Sequence, residues 1–220
     1  VCLTEWHKEH FQSIYPELKE KIHLINNGIN LSIFPKVDVK EPNSFMYSSC
    51  SERGLMRILQ MWELILEKMP NAKLYISSYN PFPHNEDENK MNEFVQRFDS
   101  ITHLGKLSQS QLYERMATTE FWLYPTNWPE TSCITALEML KNEVICIYYP
   151  IAGLVNTMGD CGISIQPGKE IETLMSLTDQ KKTEMREHGR KYAESCSWQQ
   201  RATIWQSTII KNWITTEKPL

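Results

Sequence analysis

Several common protein classes are excluded by what this chain lacks. No apolar run approaches the roughly 20 residues that a membrane-spanning helix needs. Neither sign of charge dominates. Lys plus Arg number 23 against 27 Asp plus Glu, and the net charge is -4. That balance offers no electrostatic footprint for nucleic acid or an anionic membrane surface. The six cysteines form no CxxC pair and no tight cluster with histidine, so no metal site is expected. Several sit inside apolar runs, such as Cys146 in "VICIYY", and read as small buried hydrophobes of a reducing, cytoplasmic compartment. There is no internal repeat and no low-complexity tract. An initiating Met and a signal peptide are also missing. The pattern opens on "VCLT", which reads as a strand, and the expectation is a piece of a longer polypeptide.

What is present is the pattern of an α/β domain. The chain has 220 residues, 41% of them hydrophobic, which is enough to bury a core without disulfides or metals. Apolar strands are expected at 44–49, 72–78, 100–105, 121–126, 144–149 and 162–167. Helical patterns fill 54–69, 88–98, 108–119 and 131–141, with Ser108 and Gln111 forming a capping box. Strands this apolar, alternating with amphipathic helices, predict a Rossmann-like parallel sheet covered on both faces. Residues 169–213 read as almost wholly helical. Segment 80–87, "NPFPHNED", reads as a surface loop, and Asn27-Gly28 as a turn.

The most informative stretch is "YPTNWPETSCITALEML", residues 124–140. A strand ends at Tyr124, and a helix is expected to begin near Thr131. Ligands in open α/β sheets bind at the carboxyl ends of strands. The first amides of the new helix, from Thr131 through Ser132 and Cys133 to Ile134, lack intrahelical partners and can hold a diphosphate. Glu130 and Glu138 are eight residues apart, a rise of ~12 Å and about 80° of rotation beyond two turns. That span suits a nucleotide sugar, with Glu130 accepting from sugar hydroxyls and Glu138 from both ribose hydroxyls. Spacing alone favours a plainer reading: a helix-start acid and a solvated helix position.

The surrounding motifs reverse that preference. The chain resembles the C-terminal domain of glycosyltransferase family 4, retaining enzymes with the GT-B fold. The resemblance runs from "NNGINLSIF" (26–34) to "SWQQR" (197–201). "PETSCITALEM" (129–139) is similar to the family's E(x)7E signature. "CSERGL" (50–55) is similar to its phosphate-contacting loop, "HLGKLSQSQLYERM" (103–116) to the stretch after the base pocket, and "IAGLVNTMGDCGISIQP" (151–167) to the loop closing the donor site. The resemblance implies that Glu130 contacts the transferred sugar, Glu138 the ribose and Arg53 the diphosphate. Leu107 offers backbone groups to the base, with Lys106 and Ser78 beside it. It implies transfer of a sugar from a UDP- or GDP-sugar to a carbohydrate acceptor, with retention of configuration. No cofactor and no metal are implied. No Asp-x-Asp occurs, and a cation such as Arg53 is expected to stabilise the departing diphosphate in place of a divalent ion.

Departures from the family pattern qualify this. Ser48 stands near the place of an expected Arg, with Lys106 or Arg57 as substitutes. Asn142 replaces a Gly after the second Glu's helix, and Asn156 an acid. Residues 1–34 are read as a remnant of, or link to, the first GT-B domain, and 35–220 as the nucleotide-sugar-binding domain. His7 and His10 are read as members of an ordinary surface helix. Trp128 is a candidate wall of the sugar pocket, whereas Trp62, Trp198, Trp205 and Trp213 are expected to pack helices. The short arrangement is also similar to stand-alone glycosyltransferase modules of large DNA viruses, which would set it in the host cytoplasm. The alternatives are a non-catalytic sugar-nucleotide-binding module that needs another domain for its acceptor, or an epimerase or hydrolase on the same fold.

Overall fold

The computed structural model describes residues 1–36, 39–78 and 86–210. The loop expected at 80–87 and Trp213 fall wholly or largely outside them. Six strands form one parallel sheet: β1 (Glu41–Tyr47), β2 (Lys73–Ser77), β3 (Ile101–Gly105), β4 (Thr119–Tyr124), β5 (Ile145–Tyr148) and β6 (Ile163–Ser164). Their spatial order is β3-β2-β1-β4-β5-β6, so the chain reverses its winding direction between β1 and β4. That is the doubly wound order of the Rossmann class.

The central strands are buried on both faces, which is why they lack polar alternation. All six residues of β4 and all four of β5 are buried. Helix α1 (Glu5–Ile14) leads the chain, and α2 (Leu55–Lys68), α3 (Glu86–Arg97), α4 (Gln109–Thr118) and α5 (Ile134–Lys141) follow successive strands. α2 buries Leu55, Ile58, Leu59, Trp62 and Ile65, the single stripe that a 3.6-residue period places against a sheet. The expected capping box at Ser108 and Gln111 starts α4. Beyond β5 come α6 (Gly153–Met158), α7 (Glu170–Ser176), α8 (Asp179–Glu194) and α9 (Trp198–Trp205). α8 lies on α5, where a Cβ on Gly189 would come within 2.8 Å of Leu140. It is also tied to β4, because Lys182 and Arg186 both reach the buried Glu120 carboxylate, at 3.0 and 3.2 Å. Among the described residues, no helix is long and apolar enough to cross a membrane.

Four expectations are corrected. "VCLT" forms no strand: Cys2 makes one isolated parallel bridge to Leu24, and α1 starts at once behind the Thr4 cap. β6 is two residues long rather than six. Trp62 packs as expected, edge-on to Phe45 with its Nε1 donating to Ser100, but Trp198 and Trp205 are exposed. The fourth concerns the helix after β4, which begins at Ile134 rather than Thr131. A helix from Thr131 would need the carbonyls of Glu130 and Thr131 to accept from the amides of residues 134 and 135. Both carbonyls are taken. Gly153 N donates to Glu130 O at 2.8 Å, and Thr4 Oγ1 donates to Thr131 O at 2.7 Å.

Candidate donor-binding cleft

The site is assembled where β1 and β4 lie side by side. β1 delivers Ser48, Ser49 and Cys50, followed by a 3-10 turn carrying Arg53 and then α2. β4 delivers Tyr124 and the loop to α5. The two connections touch at Gly54. Its φ of +116° is one that L side chains rarely adopt, and an added Cβ would lie 2.8 Å from Pro125 O. The glycine after Arg53 in "CSERGL" is therefore a steric requirement: it lets the two loops close on one another beside Arg53.

Arg53 Nη1 meets Glu130 Oε1 at 2.9 Å, and the buried Tyr124 hydroxyl donates to the same oxygen at 2.9 Å. Burial works against the Arg53 charge, but Glu130 and the other groups around it together outweigh that and raise its pKa. Burial first, with Glu130 among its neighbours, keeps the Tyr124 phenol protonated by raising its pKa. Both bonds fall on Oε1, and Glu130 lines a small compartment of about 170 Å³ together with Arg53, Tyr124, Ser132, Cys133 and Ile134. The amides of Ile134 and Thr135 open α5 and have no intrahelical acceptor. The Cys133 thiol is no nucleophile, since burial pushes it up to about 12.

A larger compartment of about 300 Å³ continues from there, sharing Ser49, Arg53 and Thr135. Its far end is lined by Ser77, Ser78, Lys106, Leu107 and Leu112. Eight of the ten residues singled out from the sequence thus line one continuous cleft: Arg53, Ser78, Lys106, Leu107, Glu130, Ser132, Cys133 and Ile134. Thr131 does not line it, because its carbonyl is turned to Thr4 and its side chain is exposed. Glu138 does not line it either. It sits one turn beyond Thr135 along α5, where it accepts the Tyr113 hydroxyl at 2.6 Å, and Phe34 stacks on the Tyr113 ring. Burial raises the pKa of the Glu138 carboxyl, against the opposing effect of the Tyr113 bond.

The remaining expectations divide. Ser48 lines the cleft where a cation was expected, and of the two substitutes Lys106 lines it while Arg57 packs over the Tyr149 ring instead. Trp128 is exposed and stacks on the outer side of the Arg53 guanidinium, 5.1 Å from its ring centre. Asn156 accepts the Trp6 amide at 3.0 Å, joining α6 to α1. His7 Nδ1 accepts the Leu3 amide at 3.2 Å, and His10 stacks on Trp6.

Two contributors were not read from the sequence. Tyr124 was taken only as the end of a strand, although its hydroxyl orients Glu130. Gly153 holds the Glu130 loop through its amide, and a Cβ there would lie 2.4 Å from Thr131 O. The neighbouring Ala152, at φ +50°, marks the strain of that turn. One group of possible metal-ligand side chains was likewise not read from the sequence. Among the described residues, Asp160, Cys161 and His188 bring three possible donor atoms within 4.8 Å of one another. His188 stands 27 positions beyond Cys161, which hid that group from any spacing rule.

No protein-family model and no curated protein matches the sequence. Solved structures do. A glycosyltransferase from Rickettsia africae ESF-5 matches with a TM-score of 0.77 at 17% identity, covering 98% of this chain and 63% of that one. WaaG, a glycosyltransferase involved in lipopolysaccharide biosynthesis, matches at 0.69 and 17% identity, covering 88% and 57%. Anabaena Alr3699/HepE in complex with UDP and glucose matches at 0.68 and 14% identity, covering 94% and 61%. The chain spans less than two thirds of the length of each. At these identities the likeness is one of fold: this chain has the α/β fold of one half of a GT-B structure.

Proposed function

We propose that this chain is the donor-binding half of a retaining glycosyltransferase of family 4, moving a sugar from a nucleoside diphosphate sugar to a carbohydrate acceptor without a metal ion. The observation that carries this reading is the Arg53–Glu130 pair, set beside free helix-start amides at the sheet's switch point. A diphosphate bridging Arg53 and the amides of Ile134 and Thr135 would be neutralised by a guanidinium and a helix dipole. The sugar would occupy the smaller compartment against Glu130. The nucleoside would extend toward Ser78, Lys106 and Leu107, with Glu138 reaching the ribose once Tyr113 releases it. Uridine is the first base to try, since HepE is described with UDP and glucose. Acceptor binding falls to a further domain or a partner chain, because the matched structures extend well beyond this one.

In the step itself, the acceptor oxygen forms a bond to the anomeric carbon on the face the diphosphate leaves. The bond from that carbon to the diphosphate oxygen breaks, and its electron pair stays on the phosphate. The acceptor's proton passes to the same diphosphate. Arg53 and the helix amides stabilise the charge as it grows. Glu130 grips a remote sugar hydroxyl and orients the ring, held in turn by Tyr124. The test is an NMR time course of the first-formed product from a UDP-sugar and a sugar acceptor, with the partner domain supplied. Product of retained configuration is expected. An inverted anomer would overturn the family reading, and tight nucleotide-sugar binding with no transfer or hydrolysis would favour a non-catalytic binding module.

A further inference from the structure

A second site lies away from the cleft, in the turn between α6 and β6. Its sequence is Gly159-Asp160-Cys161-Gly162. Both glycines have positive φ, +59° and +72°. An added Cβ on Gly162 would meet Met158 at 2.7 Å and Cys146 O at 2.8 Å, and one on Gly159 would press on the Tyr192 ring at 3.2 Å. The turn is closed by Gly159 N to Val155 O at 3.1 Å and Cys161 N to Met158 O at 3.0 Å. So tight a double reversal turns the Asp160 and Cys161 side chains toward one another, and the Cys161 Sγ lies 3.8 Å from Asp160 Oδ1.

α8 supplies the third group. His188 Nε2 stands 3.0 Å from the same Asp160 oxygen. Its placement is fixed one turn later by Tyr192, whose hydroxyl donates to Thr157 O at 3.0 Å while its ring packs on Gly159. Gly189 seats the same helix directly on Leu140. The histidine is therefore held against the turn by contacts that do not involve its own ring.

We propose that Asp160, Cys161 and His188 form a binding site for a divalent transition-metal ion of the zinc type. One thiolate, one imidazole and one carboxylate are a mixed S, N, O set suited to a borderline-soft ion, and three protein ligands leave a fourth position for water. Around a tetrahedral zinc, such donor atoms are roughly 3.3–3.6 Å apart. Here they already lie within 4.8 Å of one another, so closing on an ion needs only side-chain adjustment. An ordinary ion pair accounts for His188 and Asp160. It does not account for a buried thiol aimed at the same oxygen by two glycines. Asp160 and His188 are exposed, which gives the ion a path in. Bound there, the ion would staple the α6–β6 turn to α8. None of the three residues lines the donor cleft, so this inference stands or falls apart from the proposed transferase.

The test uses the full chain, stripped of metal with chelator, reduced, and titrated with Co(II) and then Zn(II). One equivalent of Co(II) is expected to give a thiolate-to-cobalt charge-transfer band that Zn(II) displaces, and Zn(II) should raise the melting temperature. Cys161→Ser should abolish the band. His188→Ala, at an exposed position, should weaken binding by at least about 10- to 100-fold while the metal-free protein still melts in one cooperative transition. Cys50, the exposed cysteine, serves as the control: Cys50→Ser should leave the band intact. No band in the unmodified chain, a band surviving Cys161→Ser, or equal affinity in His188→Ala would each overturn the proposal.

Discussion

Replacing Glu130 by Gln should move nucleotide binding and turnover in opposite directions. Without ligand, Glu130 holds Arg53 at 2.9 Å, so a diphosphate must draw the guanidinium away from its carboxylate before using it. Charge centres about 4 Å apart attract by ~4 kcal/mol at an effective dielectric of 20. The Arg53 side chain is 31% exposed, so water screens the pair, and desolvation of both groups offsets most of what is left. About 1 kcal/mol remains as the cost of recruiting Arg53. Gln keeps the shape and can still accept from Tyr124, but removes the competing charge. Binding of bare UDP should therefore tighten about fivefold. On the proposed function, turnover should fall on the order of 100-fold, because the lost contact would be made to the sugar and would strengthen in the transition state. Calorimetric titration with UDP and steady-state transfer rates, on protein shown to be folded by circular dichroism, read the two effects. If UDP binding weakened together with kcat, Arg53 would not be shared between Glu130 and the diphosphate, and the assignment of both residues would fail.

Glu138→Ala should weaken UDP and the UDP-sugar by the same factor, about 2–3 kcal/mol, as expected for two hydrogen bonds to a charged acceptor; a loss confined to the sugar nucleotide would contradict a ribose contact. Burial raises the folded-state pKa of Glu138, so the folded chain holds that proton more tightly than the unfolded chain. Stability should then decline as pH rises from the ordinary glutamate value of about 4.5 through the raised one, with the penalty fully present above it. Glu138→Gln should consequently stabilise the ligand-free protein at neutral pH in chemical denaturation, and unchanged stability would count against the burial argument. Gly153→Ala forces a Cβ to within 2.4 Å of Thr131 O and should cost about 1–3 kcal/mol of stability by overpacking, together with most of the activity; a variant of normal melting temperature and rate would show that the Glu130 loop is not held there. Transfer should survive EDTA if, as proposed, Arg53 and the α5 amides take the place of a divalent ion at the diphosphate. Loss of activity restored by manganese would contradict this, whether or not a zinc-type ion sits at Cys161.

The sequence by itself determined the sheet and named most of the residues that line the cleft. Runs such as "FWLY" and "VICIYY" have no polar alternation, and between amphipathic helices they fit only strands covered on both faces. The strand-to-helix junctions that carry Arg53 and Glu130 are each local in sequence, so each could be placed at the carboxyl end of its own strand without coordinates. The tertiary structure alone decided where the α5 helix starts. Its two candidate carbonyl acceptors were claimed by Thr4 and Gly153, residues 127 and 23 positions distant from their partners, and local helix propensity carries no information about such bonds. It alone decided that Tyr124, a strand-end aromatic with an ordinary pattern, orients Glu130, and that Glu138 is tied to Tyr113 outside the cleft. It also brought Cys161 and His188 together, because packing of α8 against the α6–β6 turn is set by contacts between elements rather than by any period along the chain.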